Sequence, residues 1–175
     1  IDLGATVIIN TGLTFRVYNS AAAVDMTVNG TLDNYGTVNR NGTPTVEING
    51  TVINRNTFTI TGAGTVLNFN AGSTYQHNRN GGTVSVATDW DDLATCEVVG
   101  VVATIPSGLN QAFGNFIWNC PLQTANLNLP NTGMSVSGNM EINSTGTLPA
   151  LGLLRLPNGP LSVTGNFTLA GGTLR

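Results

Sequence analysis

The sequence predicts an all-β chain that folds as a parallel β-solenoid, specifically a right-handed β-helix, with about twenty or more residues in each coil. Gly, Asn and Thr make up 70 of the 175 residues, only 9% are charged, and Lys is absent, a composition that favours strands and turns over helices. Short stretches alternate apolar and polar residues, as strands with one buried face do. One stretch also repeats in the same direction after twenty residues.

The repeat relates residues 26–42 to residues 46–62, with apolar residues on apolar ones and turn residues on turn residues. The matched apolar positions are Met26 with Val46, Val28 with Ile48, Leu32 with Val52, and Val38 with Phe58. We expect the side chains of the last three pairs to point inward and to stack in columns about 4.8 Å apart. An antiparallel hairpin at each Asn-Gly pair is the alternative, but it would set the two stretches in opposite directions.

Corner residues also recur at this interval. Gly30 and Gly50 follow an asparagine at matching positions and are expected to supply a positive φ, with Gly72 at the corner of the next coil. The triplet Asn-Arg-Asn occurs three times, beginning at residues 39, 54 and 78. Asn34, Asn54 and Asn78 align, which predicts a ladder of stacked amides, whereas Asn39 aligns with Thr59.

The later coils are longer, and the chain is expected to be one continuous domain. The stretch that begins at Met134 recurs from Leu161, an offset of 27 residues. We divide the chain into N-terminal solenoid coils (1–88), a cysteine-bracketed segment within the solenoid (89–123) and C-terminal coils (124–175).

The charge and hydropathy exclude two classes of partner. A net charge of −3 and a pI near 4.8 give no attraction to nucleic acid or to anionic membranes. No apolar run approaches the ~20 residues that span a bilayer, so no membrane insertion is expected. Ile1 opens directly into strand pattern, which leads us to expect a mature or excised portion of something longer.

The two cysteines, Cys96 and Cys120, are expected to form a disulfide, because the composition indicates an extracellular, oxidising setting. A metal site would need more ligands than these two cysteines and the single histidine, His77. No metal and no cofactor is therefore expected.

The segment around the cysteines carries a family resemblance. Its residues are Trp90, Cys96, Val98, Gly100, Pro106, Gly108, Leu109, Gln111, Phe113, Asn115, Phe116, Trp118, Asn119, Cys120, Pro121 and Gln123. In this spacing they resemble a segment common in large surface proteins of Bacteroidota, which are typically exported by the type IX secretion system and contain β-helical repeats. The resemblance covers about residues 85 to 175 and implies a cell-surface location and a β-helical architecture.

Several side chains are candidates for ligand binding. Arg55 and Arg79, one coil apart, could hold an anionic group such as a sulfate or a uronate. Outward aromatic residues, among them Tyr35, Tyr75 and Trp90, could stack on surface glycans. The alternative for each of these residues is a structural role in the turns or the packing of the solenoid.

Acidic residues provide two further hypotheses. Asp89, Asp91 and Asp92 could bind calcium through closely spaced carboxylates, although a solvated turn explains them as well. Asp25 and Glu47 are expected to be diagonal neighbours on the outer face, which is the minimum that a glycan hydrolase needs.

The function predicted from the sequence is structural: a rigid fibre or adhesin-shaft segment, or a filament subunit, that stacks end to end outside the cell. The predicted partners are neighbouring copies or further repeats of the same chain. A carbohydrate-binding module on the cell surface is the alternative, and a polysaccharide-active enzyme is a weaker one; no enzymatic activity is expected.

Overall fold

The computed structural model describes residues 1–146 and 152–175. The chain winds into a β-solenoid of about 7 turns with roughly 22 residues in each. Every strand pair is parallel, and the described residues form no helix, so none of them builds a helix that could cross a membrane. The predicted fold class is therefore confirmed, and the handedness of the coil stays a prediction.

The strands are short, as the alternating stretches predicted. In chain order they are β1 (Thr6–Ile9), β2 (Thr14–Tyr18), β3 (Met26–Val28), β4 (Thr31–Asn34), β5 (Thr37–Asn41), β6 (Thr45–Ile48), β7 (Thr51–Asn54), β8 (Thr57–Thr59), β9 (Val66–Phe69), β10 (Thr74–His77), β11 (Asp89–Trp90), β12 (Thr95–Val98), β13 (Ala112–Phe113), β14 (Asn115–Asn119), β15 (Leu127–Asn128), β16 (Ser135–Val136), β17 (Met140–Ser144), β18 (Leu153–Arg155), β19 (Ser162–Val163), β20 (Phe167–Leu169) and β21 (Thr173–Leu174).

These strands stack into three faces. The long face is one sheet in the order β1-β4-β7-β10-β12-β14-β17-β20 and takes strands from all three parts of the chain. The leading face, which precedes it in each coil, consists of β3-β6-β9-β11 followed by β13-β16-β19. The trailing face consists of β2-β5-β8 followed by β15-β18-β21. The leading face is thus interrupted between β11 and β13.

The register confirms the twenty-residue repeat. Val28 pairs with Ile48, Leu32 with Val52, and Val38 with Phe58, and all six side chains are at most 2% exposed. Asn39 pairs with Thr59, also as predicted. The 27-residue offset near the C-terminus is confirmed by the pairing of Met140 with Phe167. Apolar residues thus stack on apolar residues along the axis, and their burial is the main favourable contribution to folding.

The expected role of the Asn-Gly pairs is wrong. Gly72 does have a positive φ of 76°, but Gly30 and Gly50 are not among the glycines with positive φ. A Cβ atom on Gly50 would collide with the carbonyl oxygen of Gly30, and a Cβ on Gly30 with that of Ala5. Glycine is needed at these corners because successive coils approach so closely there, not because the backbone is left-handed.

A buried asparagine ladder is present, but it is shorter than predicted. Asn34 Nδ2 donates to Asn54 Oδ1 (3.2 Å), and Asn54 Nδ2 donates to the Tyr75 hydroxyl (2.9 Å). Asn54 pairs with His77, so Asn78 lies one residue beyond the ladder. The coil between them is one residue shorter than the alignment of the triplets implied.

A second ladder lies on the outside, at the corner between the leading and long faces. Asn49 Nδ2 donates to Asn29 Oδ1 and Asn70 Nδ2 donates to Asn49 Oδ1, both at 2.7 Å. Glu47 joins it by accepting from Asn68 and Asn70 at 2.9 Å each. Sequence analysis missed this ladder, although Asn29 and Asn49 are matched residues of the repeat.

Candidate functional site

The predicted disulfide is wrong, because the thiols of Cys96 and Cys120 are free and both are buried. Cys96 pairs with Phe116 in the ladder, so Cys120 lies four residues farther along, about 13 Å at the rise of a strand. A disulfide needs Cα atoms within about 7 Å of each other. The Cys120 thiol donates instead to the Val98 carbonyl at 3.3 Å. The extracellular, oxidising setting from which the bridge was expected stays a prediction.

Burial also makes both thiols unreactive. It raises the pKa of Cys120 to about 12 and that of Cys96 still higher. Because the thiolate is the reactive form of cysteine, the two residues act as small apolar side chains of the core.

Tyr75 is wrongly predicted as an outward aromatic. Its side chain is 0% exposed and lies between Phe58 and Phe69, with ring centroids 6.0 and 5.7 Å away. Burial raises the pKa of its hydroxyl, which accepts the hydrogen bond from Asn54. Tyr35 does lie on the surface, but the guanidinium of Arg55 covers its ring at 4.9 Å.

The two arginines are held by the fold and do not present an open anion site. Arg55 Nε donates to Asp33 Oδ1 at 2.8 Å, and this hydrogen bond raises the pKa of the guanidinium. Arg79 donates to the main-chain carbonyl of Asn56. An anion held between them would have to displace the carboxylate of Asp33, which the prediction of a sulfate or uronate site did not consider.

The acids of the leading face are likewise used locally. Asp25 accepts from the hydroxyl and amide of Ser20, both at 2.6 Å, and from the Thr45 amide at 2.8 Å, and these bonds lower its pKa. The carboxylate of Glu47 belongs to the outer asparagine ladder. His77 is 0% exposed, and burial lowers its pKa to about 4. Asp25 and Glu47 therefore do not form the open acid pair that the enzyme hypothesis required, and the buried His77 is not available as a base beside them.

Of the two roles considered for Asp89, Asp91 and Asp92, the turn is the one that the structure fits, and the calcium site is not formed. Asp91 Oδ1 accepts from the Leu93 amide at 2.8 Å, and its carbonyl accepts from the Ala94 amide, so Asp91 shapes a turn. In residues 1–146 and 152–175, no group of three or more His, Cys, Asp or Glu side chains is arranged to hold a metal ion. Asp89 and Asp92 remain on the surface, at the edge of a groove.

This groove lies at the interruption of the leading face, between β11 and β13, and has a volume of about 360 Å³. The corner length also changes at this place. Trp90 precedes Cys96, its neighbour on the long face, by six residues, whereas Phe113 precedes Phe116 by three. The long face keeps its register through both coils. On the leading face, β11 and β13 are not paired with each other.

Trp90 forms the inner wall of the groove. Its ring stacks on Phe69 with centroids 4.1 Å apart and planes 11° apart, and it meets Phe113 edge-on at 5.2 Å. Only 7% of the side chain is exposed. The expectation that Trp90 offers its ring face to a glycan is wrong, because one face is covered by Phe69.

Gln111 holds the Trp90 side chain in place by hydrogen bonding. Its Oε1 accepts from the Trp90 indole nitrogen (3.1 Å) and from the Ala87 amide (2.9 Å), while its Nε2 donates to the carbonyls of Ser85 and Gly108. Sequence reasoning gave Gln111 no role, although it belongs to the spacing that carries the family resemblance.

Comparison of the chain with known protein families, curated proteins and solved structures found no match. The resemblance of residues 85–175 to bacterial surface proteins therefore stays a prediction.

Proposed function

We propose that this solenoid is a rigid segment of an extracellular fibre or adhesin shaft, and that copies of it stack end to end. The observation that carries the proposal is that the core columns are exposed in the first and in the last described coil. Val7 and Phe15 are 37% and 38% exposed at one end, and Phe167 and Leu169 are 42% and 49% exposed at the other. Interior members of the same columns, such as Leu32 and Met140, are at most 1% exposed.

The two ends are complementary in register. Val7 and Phe167 are the first and last residues of one column of the long face, and Ile9 and Leu169 are those of the next. A second copy placed on the axis would set Phe167 over Val7 and Leu169 over Ile9, with β20 and β1 pairing as parallel strands. Exposed strand edges favour such pairing. Because the contact joins two different surfaces, it builds an open filament.

The sides of the stack fit a shaft. Thr6, Thr31, Thr51, Thr74 and Thr95 pair in one column on the outside of the long face. Together with the outer asparagine ladder they give the coil a surface rich in hydrogen-bonding groups. This surface and the family resemblance support the extracellular location, which antibody labelling of intact cells would test.

The association is tested by light scattering and analytical ultracentrifugation of the 175-residue chain over a range of concentrations. We expect growth into elongated particles. Val7→Glu and Leu169→Glu each place a charge on one end and should stop growth, because an unpaired charge is costly to bury. Leu122→Glu is the matched control, since Leu122 is 72% exposed and lies in a turn on the side of the stack.

Mixing the two end variants provides a sharper test. Each keeps one intact end, so the mixture should form dimers of one Val7→Glu and one Leu169→Glu chain, while each variant alone stays monomeric. The proposal is wrong if the unmodified chain remains monomeric at high concentration, or if the end variants grow as readily as Leu122→Glu.

A further inference from the structure

We propose that the groove between β11 and β13 is a binding site for one neutral sugar residue of a glycan. This inference concerns the side of the solenoid and does not depend on end-to-end stacking. It differs from the expected stacking of a glycan on exposed aromatic rings, since Trp90 is covered by Phe69.

The groove has the size and the walls of a small-ligand site. Its volume of about 360 Å³ lies at the lower end of the ~300–1,000 Å³ that such sites occupy. Val86, which is 49% exposed, gives the lining its accessible apolar surface, whereas the indole of Trp90 and the ring of Phe113 are only 7% and 1% exposed; Gln111 holds the indole in place by its hydrogen bond. The site is thus already formed without a ligand, which lowers the entropic cost of binding.

The polar groups around the opening suit hydroxyl donors. The carboxylates of Asp89 and Asp92 lie at the rim with the amide of Asn110 and the hydroxyls of Thr88 and Ser137. Hydrogen bonds to a carboxylate are roughly twice as strong as those between neutral groups. A pyranose ring fits this arrangement, because its hydroxyls can donate to the carboxylates while its C–H surface packs on the exposed side chain of Val86.

The charges exclude an acidic ligand. None of the residues that line the groove is basic, so a uronate, sulfate or phosphate would meet Asp89 and Asp92 without a counter-charge. Like charges placed together in this way disfavour binding. The sequence-based expectation of an anionic ligand therefore does not apply to this site.

An extended peptide is disfavoured by the limits of the groove. On one side β11 is paired with β9, and on the other β13 is paired with β16. The opening is thus bounded within a single coil step, whereas a peptide strand needs a longer exposed edge. A compact sugar ring is the better fit, and the experiment includes a basic peptide so that binding of the two kinds of ligand can be distinguished.

The test is a titration of the Leu169→Glu chain with short oligomers, in which binding is followed by tryptophan fluorescence. This variant is used so that self-association does not interfere. Trp90 lines the groove, and the other tryptophan, Trp118, is fully buried and supplies a constant background. The probes are cellotetraose, mannotetraose and chitotetraose as neutral sugars, tetragalacturonate as an acidic sugar, and tetralysine as a basic peptide. We expect a saturable change with at least one neutral sugar and none with tetragalacturonate.

Two variants locate the binding. Asp89→Asn combined with Asp92→Asn should weaken the sugar about tenfold or more, as expected for lost hydrogen bonds to charged groups. Asp2→Asn makes the same chemical change on an exposed residue outside the groove and should leave binding unchanged. Circular dichroism and urea midpoints confirm that each variant is folded. The proposal is overturned if no neutral sugar binds, if tetragalacturonate or tetralysine binds as well or better, or if the double variant binds like its parent.

Discussion

Replacing Asn54 with alanine should destabilise the solenoid far more than the same replacement at Asn49, five residues earlier in the same coil. Both side chains belong to asparagine ladders that bridge coils. Asn54 lies inside the stack and is 0% exposed, whereas Asn49 lies outside. The comparison isolates what burial adds to an otherwise similar set of hydrogen bonds.

The magnitude follows from the partners that each change leaves behind. Asn54→Ala removes the donor to the Tyr75 hydroxyl and the acceptor of Asn34, and it leaves a small cavity; Asn34 keeps its 2.7 Å bond to the Thr57 carbonyl. A buried polar group left without its partner costs about 1–3 kcal/mol, and the cavity adds to that. We expect Asn54→Ala to lower the free energy of unfolding by about 2–4 kcal/mol. At Asn49 water replaces the lost hydrogen-bond partners, so Asn49→Ala should lower the free energy of unfolding by about 0.5 kcal/mol or less.

Urea unfolding followed by circular dichroism measures both values. A pure change in stability moves the midpoint and leaves the slope unchanged. The double variant Asn34→Ala and Asn54→Ala completes a cycle, and it should lose less than the sum of the single losses, with a coupling of about 0.5–3 kcal/mol. Equal midpoints for Asn54→Ala and Asn49→Ala, or fully additive losses in the cycle, would refute the reasoning.

Two further predictions concern the buried titratable groups. Burial lowers the pKa of His77 to about 4 in the folded chain, compared with about 6.5 in the unfolded chain. As the pH falls, the unfolded chain therefore binds a proton at His77 before the folded chain does. The free energy of unfolding should decrease as the pH falls from 6.5 towards 4. Between pH 6.5 and 5 the unmodified chain should lose about 1–2 kcal/mol more than His77→Gln in urea titrations, and parallel curves would contradict this. Iodoacetamide at pH 8 should leave Cys96 and Cys120 unlabelled in the folded chain and label both in urea, as mass spectrometry reads out; an intact bridge, or rapid labelling of the folded chain, would show that the buried thiols are wrongly placed.

The two coils of the repeat, residues 26–42 and 46–62, could be predicted residue by residue because all three faces pair there at the same offset. With an offset of twenty, each apolar residue falls on its partner, and the pairs Val28–Ile48 and Leu32–Val52 follow from the alternation alone. The prediction fails where the coil length changes. Asn54 to His77 is 23 residues, one fewer than the alignment of the triplets suggested, and that single residue moves Asn78 out of the buried ladder.

The disulfide fails for the same reason. The cysteines are 24 residues apart, but the ladder between β12 and β14 pairs residues that are 20 apart, such as Cys96 and Phe116. The excess of four residues carries Cys120 along the strand. In a solenoid, two residues stack directly on each other in a strand ladder only when their separation equals the local coil length, so the spacing of two cysteines does not predict a bridge until that length is known.

The groove shows that a site in a solenoid is assembled from two coils. Asp89, Trp90 and Asp92 were recognisable as a cluster, yet Gln111 and Phe113 join them only through the stacking of the next coil. The corner that follows Trp90 is three residues longer than the one that follows Phe113. Unequal corners alone do not prevent pairing, since β6 and β9 pair although Ile48 precedes Val52 by four residues and Phe69 precedes Tyr75 by six. At the break between β11 and β13 two carboxylates lie at the rim of the groove, while the long face beside it remains continuous and keeps the coils aligned. A stiff stack and a local binding site are therefore compatible in one chain, because the corner can vary in length without disturbing the register of the long face.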